Sequence, residues 1–300
     1  MIFSLYLQPL FKKLRELEIE FHVYADDVQI YITSKHPECS KLKLNATLRT
    51  IEDFLTAHKL KINKEKTELI VFNPLRNHDI TNYTITHRDI KISAGEVVRN
   101  LGFYLDHKLK YETQVGKICQ SAYFKLKQIS RNRSFLNENT WKILVNSLVM
   151  SKIYFMCTLY YAVNQKQIKR LQKIQNYAAR IITLSNKYTH ITPILNYLNW
   201  LPIKEFIQYR YLTIIHKCLQ NTAPRYLCDL LEHYEPGRQL RSNNMRLLKV
   251  PNIKTKFGQR SFYYSAPKLW NALPHKLRFE NSQENFKNKL KEYLLHHINM

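Results

Sequence analysis

Residues 21–32 spell the stretch that decides the first part of the fold: Phe-His-Val-Tyr-Ala-Asp-Asp-Val-Gln-Ile-Tyr-Ile. Two short runs rich in β-branched and aromatic residues flank two adjacent aspartates, Asp26 and Asp27. Apolar and polar side chains alternate in the second run, which is the period of a strand with one buried face. The pattern therefore predicts a β-hairpin with the two acids at or beside its turn.

The two aspartates allow two interpretations. A pair of carboxylates on a tight turn can hold Mg²⁺ ions for an in-line attack on a phosphate, because Mg²⁺ prefers oxygen ligands. Aspartate is also a favoured turn residue, and an isolated Asp-Asp pair is usually only a turn. The choice between them depends on the rest of the chain.

Four segments in a fixed order carry a family resemblance. They are residues 24–27 (Tyr-Ala-Asp-Asp), 60–72 (Leu-Lys-Ile-Asn-Lys-Glu-Lys-Thr-Glu-Leu-Ile-Val-Phe), 98–106 (Val-Arg-Asn-Leu-Gly-Phe-Tyr-Leu-Asp) and 265–274 (Ser-Ala-Pro-Lys-Leu-Trp-Asn-Ala-Leu-Pro). The first three resemble the active-site box, the next box and the primer-gripping hairpin of reverse transcriptases. The last is similar to a C-terminal signature of non-LTR (LINE-type, jockey-like) retrotransposon polyproteins. The resemblance to these enzymes covers nearly the whole chain.

This resemblance implies a reaction and its residues. The reaction is nucleotidyl transfer by an RNA-directed DNA polymerase with two Mg²⁺ ions, with Asp26 as the main metal ligand and Asp27 beside it. Lys66 stands where relatives carry a lysine proposed to assist the leaving pyrophosphate, although an exposed strand-edge lysine fits equally well. Leu101 and Gly102 mark either a backbone approach to the primer or only a bulge. The implied partners are an RNA template, a DNA primer or duplex and, in intact relatives, a dNTP.

The same resemblance predicts an incomplete active site. A reverse transcriptase palm needs a third aspartate on an upstream strand and a glycine-containing substrate loop, and only 25 residues precede Asp26. Residues 1–7 resemble the segment just after that loop. We therefore expect a C-terminal polymerase fragment that is inactive, or nearly so, alone.

Two alternatives stay open beside the polymerase fragment. The first is a non-catalytic module, derived from the thumb, that binds RNA or DNA. The second is a group II intron maturase, which also carries Tyr-Ala-Asp-Asp. The segment at residues 265–274 argues against the maturase.

Hydrophobic periodicity, together with the resemblance, predicts an α+β fold in three parts. Residues 1–110 are expected to be a partial palm with a small antiparallel sheet, residues 111–220 a mainly α-helical thumb-like domain, and residues 221–300 a basic C-terminal region ending in a helix. The apolar run 141–163 contains lysines, so we expect a buried bundle helix there rather than a membrane span. In the first part we expect helices at 2–18 and 37–59, and strands, besides the hairpin, at 66–72, 85–92 and 97–105.

Positive charge is concentrated after the palm-like part. Residues 1–112 carry 17 lysines and arginines against 15 acids, whereas residues 113–300 carry 30 against 8, a net charge of +22. Residues 139–204 contain no acid. A field of one sign attracts polyanions, because cations neutralise phosphates and release counterions. Nucleic acid is therefore the expected partner. A membrane surface would require an anchoring element.

The clearest helix is predicted over residues 165–184. At 100° per residue its apolar side chains fall on one side and its cations on the other. A lysine-rich face is often only solvated, but such a face usually mixes signs, and this one has no acid. We expect it to contact nucleic acid as part of the thumb. The residues concerned, which we call the basic stripe, are Lys166, Lys169, Arg170, Lys173 and Arg180, with Tyr177 among them.

Two tryptophans near prolines, Trp200 and Trp270, also allow two interpretations. In a basic region a tryptophan can serve as a stacking platform for a base. A tryptophan beside a proline is more often part of the core. We therefore expect both to anchor helix junctions.

The cysteines and the N-terminal residues indicate where in the cell the chain is expected. The five cysteines contain no Cys-x-x-Cys pair, so neither a disulfide framework nor a zinc knuckle is expected. The apolar residues 1–11 are followed rather than preceded by charges, unlike a signal peptide. The chain is expected inside the cell, in the nucleus or the cytoplasm.

Overall fold

The computed structural model describes residues 2–72, 83–87, 90–131, 135–235 and 245–298. Over these stretches the fold is α+β and mainly helical, with two-stranded sheets near the N-terminal end. This confirms the predicted fold class.

The chain divides into two compact units, and the boundary between them falls at the third hairpin. The first unit comprises Met1–Asn100 and Asp106–Lys108, and the second comprises Leu101–Leu105 and Leu109–Met300. The expected division into three domains stays a prediction.

The first unit begins with two short helices, a hairpin and a long helix. Pro9 lies in the first turn of the second helix, where its missing N–H leaves no helical bond unmade. One continuous helix over 2–18 would place this proline in a helix interior, and the chain instead turns at Leu7. The elements are α1 (Ile2–Tyr6), α2 (Gln8–Glu16), β1 (Glu20–Tyr24), β2 (Asp27–Tyr31) and α3 (Pro37–Ala57).

The predicted hairpin is confirmed. Strands β1 and β2 pair antiparallel, with Tyr24 opposite Asp27. The apolar side chains Phe21, Val23 and Ile30 pack against a buried cluster formed by α2, by the residues that flank it and by α3. Because side chains alternate between the faces of a strand, this packing leaves Asp27 on the opposite face. The buried cluster comprises Leu7, Leu10, Phe11, Leu14, Ile19, Ile51 and Phe54.

The two strands expected at 85–92 and 97–105 are each a hairpin rather than one strand. In the first, Ile85 lies opposite Ile92, and both are buried against α3. In the second, positive φ angles at Leu101 and Gly102 reverse the chain. Residues 88–89 lie outside the described residues. The strands are β3 (Thr84–His87), β4 (Ile90–Ser93), β5 (Val97–Asn100) and β6 (Phe103–Asp106).

The strand expected at 66–72 was wrong. Lys66 ends a short 3₁₀ turn, and Leu69 makes only an isolated bridge to Ala94. The Glu68 carboxylate, rather than a backbone carbonyl, accepts a 2.9 Å hydrogen bond from the Arg99 amide. The contact of this segment with β5 is therefore made by a side chain, and the Leu69 carbonyl accepts a 2.8 Å hydrogen bond from the Gly95 amide.

The regular structure of the second unit, among its described residues, is helical apart from its part of the third hairpin and a single antiparallel bridge between His233 and Leu248. Its helices pack around two buried apolar clusters. The helix expected at 165–184 is confirmed, and so is the C-terminal helix. The helices are α4 (Glu112–Arg131), α5 (Glu138–Val145), α6 (Ser151–Tyr154), α7 (Gln165–Ile182), α8 (Ile191–Tyr197), α9 (Ile203–Leu219), α10 (Arg225–Cys228), α11 (Phe262–Asn271), α12 (His275–Arg278) and α13 (Gln283–Ile298).

The apolar run 141–163 is buried in part, as expected, but it is not one helix. It passes from α5 through a π-helical turn into α6, which ends at the extended Phe155. Met156, with φ +49°, then leads into a separate 3₁₀ helix, Cys157–Ala162. The hydroxyl groups of Ser147 and Ser151 bond to carbonyls one turn back, an arrangement that bends helices. Among the described residues, no helix is long and apolar enough to span a membrane.

Both tryptophans expected in the core are buried, Trp200 at 8% exposure and Trp270 at 2%. The Trp270 Nε1–H donates a 2.9 Å hydrogen bond to the Arg246 carbonyl, and its ring lies 5.9 Å from that of Phe286. A donor that is satisfied in the interior is not available to a base. The core interpretation of Trp270 is therefore confirmed.

His216 of α9 is buried against the same cluster, beside the rings of Trp270 and Phe286. Its Nε2 donates to the Glu280 carbonyl at 2.9 Å, and its ring stacks on Phe286 at 4.2 Å. Its buried Nδ1 meets no hydrogen-bond partner among the described residues. Burial lowers the pKa of His216, and the hydrogen bond to Glu280 opposes that shift.

We expect this histidine to make the second unit less stable in acid. Above the ordinary histidine pKa of about 6.5 both folded and unfolded chains carry it neutral, so its contribution is complete there. Below that value the unfolded chain takes up the proton first, and stability falls by at most about 1.4 kcal/mol per pH unit.

Urea unfolding of the parent chain and of His216→Gln, between about pH 8 and pH 5, measures the effect. Tryptophan fluorescence is the signal, because all three tryptophans of the chain lie in the second unit. The variant should be less stable overall and less sensitive to pH. His36→Gln, at an exposed position, is the control and should keep the parent's pH dependence. Equal slopes in the parent and His216→Gln would assign the acid sensitivity to other groups.

Candidate functional site

Asp26 and Asp27 lie at the tip of the first hairpin. Ala25 and Asp26 form its two-residue turn, and Asp27 is the first residue of β2. Both carboxylates are exposed. Ala25 adopts φ +53°, a left-handed conformation that costs a residue with a Cβ about 1–2 kcal/mol. The tight turn therefore presents two neighbouring acids from a locally strained backbone.

The face of the hairpin that carries Asp27 is polar and organised. The Tyr31 hydroxyl donates a 2.5 Å hydrogen bond to the Gln29 Oε1. The Gln29 Nε2 donates in turn to the Asn100 Oδ1 at 2.7 Å, at the end of β5. The His22 ring meets Tyr31 edge-on at 5.3 Å. This network ties the acid-bearing hairpin to the strand that leads into Leu101 and Gly102.

The donor set at this tip suits a hydrated Mg²⁺ ion. Mg²⁺ keeps several waters and is usually bound by one or two carboxylates together with substrate phosphates. Asp26 and Asp27 supply two carboxylates. Within the described stretches, no group of three or more His, Cys, Asp or Glu side chains is arranged to hold a metal. Binding of Mg²⁺ by these two carboxylates stays a prediction.

Lys66 is exposed at the end of the 3₁₀ turn Lys64–Lys66. The Asn63 side chain accepts a 3.3 Å hydrogen bond from the Lys66 amide and caps this turn. An exposed lysine on a capped turn fits a substrate-facing role and a solvated one alike. The pyrophosphate role of Lys66 stays a prediction.

Gly102 sits in the turn of the third hairpin with φ +82°, and Leu101 before it has φ +47°. Nothing lies within 4 Å of the position that a Cβ on Gly102 would take. The backbone conformation, not crowding, is therefore what favours glycine here. The position is exposed, and its predicted contact with a primer stays a prediction.

The basic stripe of α7 has the orientation that its periodicity predicts. Its opposite side, including Leu171 and Ile174, is fully buried. The stripe itself is uneven. The side chains of Lys166, Lys169 and Lys173 are exposed, and the two arginines are half-buried.

The two arginines of the stripe are engaged within the protein. Arg170 donates a 2.8 Å hydrogen bond to the Gln167 Oε1, and Arg180 donates to the Thr189 carbonyl at 3.0 Å. Arg170 also approaches Cys119 of α4, where burial raises the pKa of the thiol and the guanidinium lowers it. The three lysines are thus the groups best placed to meet a polyanion.

Sequence reasoning missed several residues of these surfaces. Tyr123 and Phe124 of α4 are 41% and 60% exposed, and Tyr123 lies beside Tyr177. Their position off the apolar stripe of α4 was the available signal. The Gln29 to Asn100 hydrogen bond had no such signal, because its partners lie far apart in sequence.

Comparison with known proteins agrees with the geometry of the first unit. Residues 1–111 match the family model described as reverse transcriptase (RNA-dependent DNA polymerase). The match includes the acid-bearing hairpin, Lys66 and the third hairpin. No curated protein and no solved structure matches the chain. The first 111 residues therefore resemble a reverse transcriptase domain, and a polymerase of that kind has nucleic acid as its general partner.

Proposed function

We propose that this chain is a non-LTR retrotransposon reverse transcriptase that binds nucleic acid and is inactive, or nearly so, alone. One observation carries the proposal: Asp26 and Asp27 stand at the tip of an antiparallel hairpin within the segment that matches the polymerase family. The non-LTR assignment rests on the order of the sequence motifs. An intracellular location, nuclear or cytoplasmic, belongs to the same proposal.

The polymerase chemistry would depend on Mg²⁺ at the hairpin tip. When bound, the ions would activate a primer 3′-hydroxyl and offset the charge of the pyrophosphate. Asp26 and Asp27 would hold them, with Asp26 as the main ligand. The polar face with Gln29 and Tyr31 would keep the hairpin in register behind the acids.

The expected inactivity follows from the donor count. The resemblance implies a site with a third carboxylate, whereas the hairpin tip has two among the described residues. With two carboxylates alone, we expect the placement of the ions to be incomplete. RNA template, DNA primer and dNTP would be the ligands of a complete relative. For this chain, the proposal keeps template and primer as binding partners.

Primer extension tests the catalytic part of the proposal. With a DNA primer annealed to an RNA template, dNTPs and Mg²⁺ or Mn²⁺, the chain should give no detectable extension. Asp26→Ala and Asp27→Ala, assayed beside the parent, identify any contaminating polymerase, since its activity would survive both changes. Extension by the parent that disappears in either variant would contradict the expected inactivity.

A non-catalytic nucleic-acid-binding module is the second candidate. It is favoured by the charge of residues 113–300, a net of +22, and by the exposed lysines of α7. It predicts the same absence of extension. The two candidates differ at the acids: as a binding module alone, the chain should bind primer and template equally well with and without Asp26 and Asp27, and independently of Mg²⁺.

A further inference from the structure

Exposed aromatic rings interrupt the basic surface where α4 packs against α7. The rings of Tyr123 on α4 and Tyr177 on α7 lie 6.4 Å apart and are tilted by 32°. Phe124 follows Tyr123 and is the most exposed of the three, at 60%. Aromatic rings that are exposed to water are not stabilised by the hydrophobic effect. A ligand that covers them therefore gains binding free energy from their burial.

Cations surround these rings. Lys173 lies one helical turn before Tyr177 on α7, and Lys127 lies one turn after Tyr123 on α4; both lysines are exposed. The Lys125 Nζ lies 5.8 Å from the centre of the Phe124 ring. Burial raises the pKa of Tyr123, and the charge of Arg170 opposes that shift, which places this guanidinium near the same ring.

Acids are nearly absent from both helices. Glu112, at the N-terminal end of α4, is the one carboxylate in the sequences of α4 and α7. Near the rings, these two helices therefore supply cations alone. Charge complementarity selects a polyanion for this surface, and the rings select a polyanion with flat, apolar groups.

Unpaired bases meet both requirements. Their faces stack on aromatic side chains while the backbone phosphates meet lysines, which is how proteins hold single strands without sequence preference. A duplex hides its base faces between neighbouring pairs, so the three rings would find nothing to stack on along its length. Phosphate contacts alone would favour the duplex, because its charge density is higher.

We propose that Tyr123, Phe124 and Tyr177, with Lys127 and Lys173, form a platform that binds single-stranded RNA or DNA by stacking its bases. This inference rests on the proposed function, because it takes nucleic acid as the partner. It adds that this surface recognises single-stranded rather than double-stranded nucleic acid.

Fluorescence anisotropy tests the platform with two probes: a labelled oligouridine of about 12 nucleotides and an RNA duplex of the same length. The parent chain should bind the single strand more tightly than the duplex. Tyr123→Ala with Tyr177→Ala should weaken single-strand binding about thirtyfold or more, since each stacked base contributes roughly fivefold or more to the affinity. Duplex binding should change less than about twofold if phosphate contacts alone support it.

Matched variants separate stacking from other effects. The double change to phenylalanine keeps both rings and should retain single-strand binding. Tyr197→Ala is the control, because Tyr197 is 68% exposed but its hydroxyl donates to a Glu138 carboxylate oxygen, so an acid adjoins it. It should bind like the parent.

Photocross-linking of the unaltered chain makes the test independent of variant folding. An oligouridine carrying 5-iodouracil should cross-link to Tyr123, Phe124 or Tyr177. Cross-links confined to other residues, or an equal loss of single-strand and duplex binding in the alanine variant, would overturn the platform. Absence of binding to either probe at low salt would instead refute the proposed nucleic-acid function.

Discussion

Replacing Lys166, Lys169 and Lys173 with glutamine is expected to weaken duplex binding by about two to three orders of magnitude at about 0.1 M salt. The three side chains are exposed on one side of α7, and the other side is buried. Each lysine that neutralises a phosphate contributes about 0.9 to the slope of log affinity against log salt, so three should remove roughly 2.7 units.

The choice of three lysines follows from the structure. Arg170 and Arg180 belong to the same stripe but already donate hydrogen bonds to Gln167 and Thr189. Changing them would disturb the protein as well as the surface. If all five cations were replaced, loss of binding would not distinguish lost phosphate contacts from a shifted helix.

A control of equal charge change is available in the first unit. Lys35, Lys59 and Lys61 are exposed there, where acids nearly balance bases. Their joint replacement with glutamine lowers the net charge by the same three units and should leave the salt slope almost unchanged. A slope that falls equally in both triple variants would indicate a diffuse charge effect, and an unchanged slope in the α7 variant would place the stripe away from the phosphates.

Local patterns in the sequence predicted the elements whose buried face is defined by their own residues. The hairpin at residues 21–32 and the helix at 165–184 were both predicted because alternation and a 3.6-residue period each define one buried face. Their burial agrees: Phe21 packs inward, and Leu171 is fully buried. In these elements the same residues that set the period also make the core.

The sequence failed where a distant partner decides the conformation. Residues 66–72 have the composition of a strand, but the Glu68 side chain occupies the Arg99 amide, and only Leu69 forms a bridge. The run 141–163 has the composition of one helix, but it is divided by Ser147, Ser151 and the left-handed Met156. The hydrophobic pattern of the sequence does not predict these hydrogen bonds or the left-handed residue.

The candidate site shows the same division. The position of Asp26 and Asp27 at a turn could be predicted, because the two acids are neighbours in the sequence. The hydrogen bond from Gln29 to Asn100 and the approach of Tyr123 to Tyr177 are tertiary contacts, and no local period encodes them. Exposure was equally hidden: the helical period places all five cations of α7 on one side, but it does not show that the two arginines are half-buried.

Replacing Trp270 with alanine is expected to destabilise the second unit by about 3–5 kcal/mol, since a buried tryptophan leaves a large cavity. Its ring is 2% exposed and lies within a cluster that joins α9, α11 and α13. The change also removes the Nε1–H that satisfies the Arg246 carbonyl. A loss of this size is a large fraction of the stability of an ordinary domain.

Trp270→Phe separates the two contributions. It keeps an aromatic ring beside Phe286 and His216 but removes the hydrogen-bond donor, so it should cost clearly less than the alanine change. Because the chain has two compact units, unfolding should be followed by hydrogen exchange in α9, α11 and α13, rather than by a single global signal. Faster exchange should be confined to the second unit.

The same two variants test whether Trp270 acts only in the core or also stacks on a base. If Trp270 acts only in the core, Trp270→Phe should bind single-stranded RNA like the parent while its exchange is faster. A tenfold loss of binding without faster exchange would mean that the indole meets a base, although the structure buries it. A stability loss below about 1 kcal/mol in Trp270→Ala would contradict the burial of Trp270 in a close-packed core. Removing a tryptophan from such a core leaves a large cavity, and that cavity costs more than this.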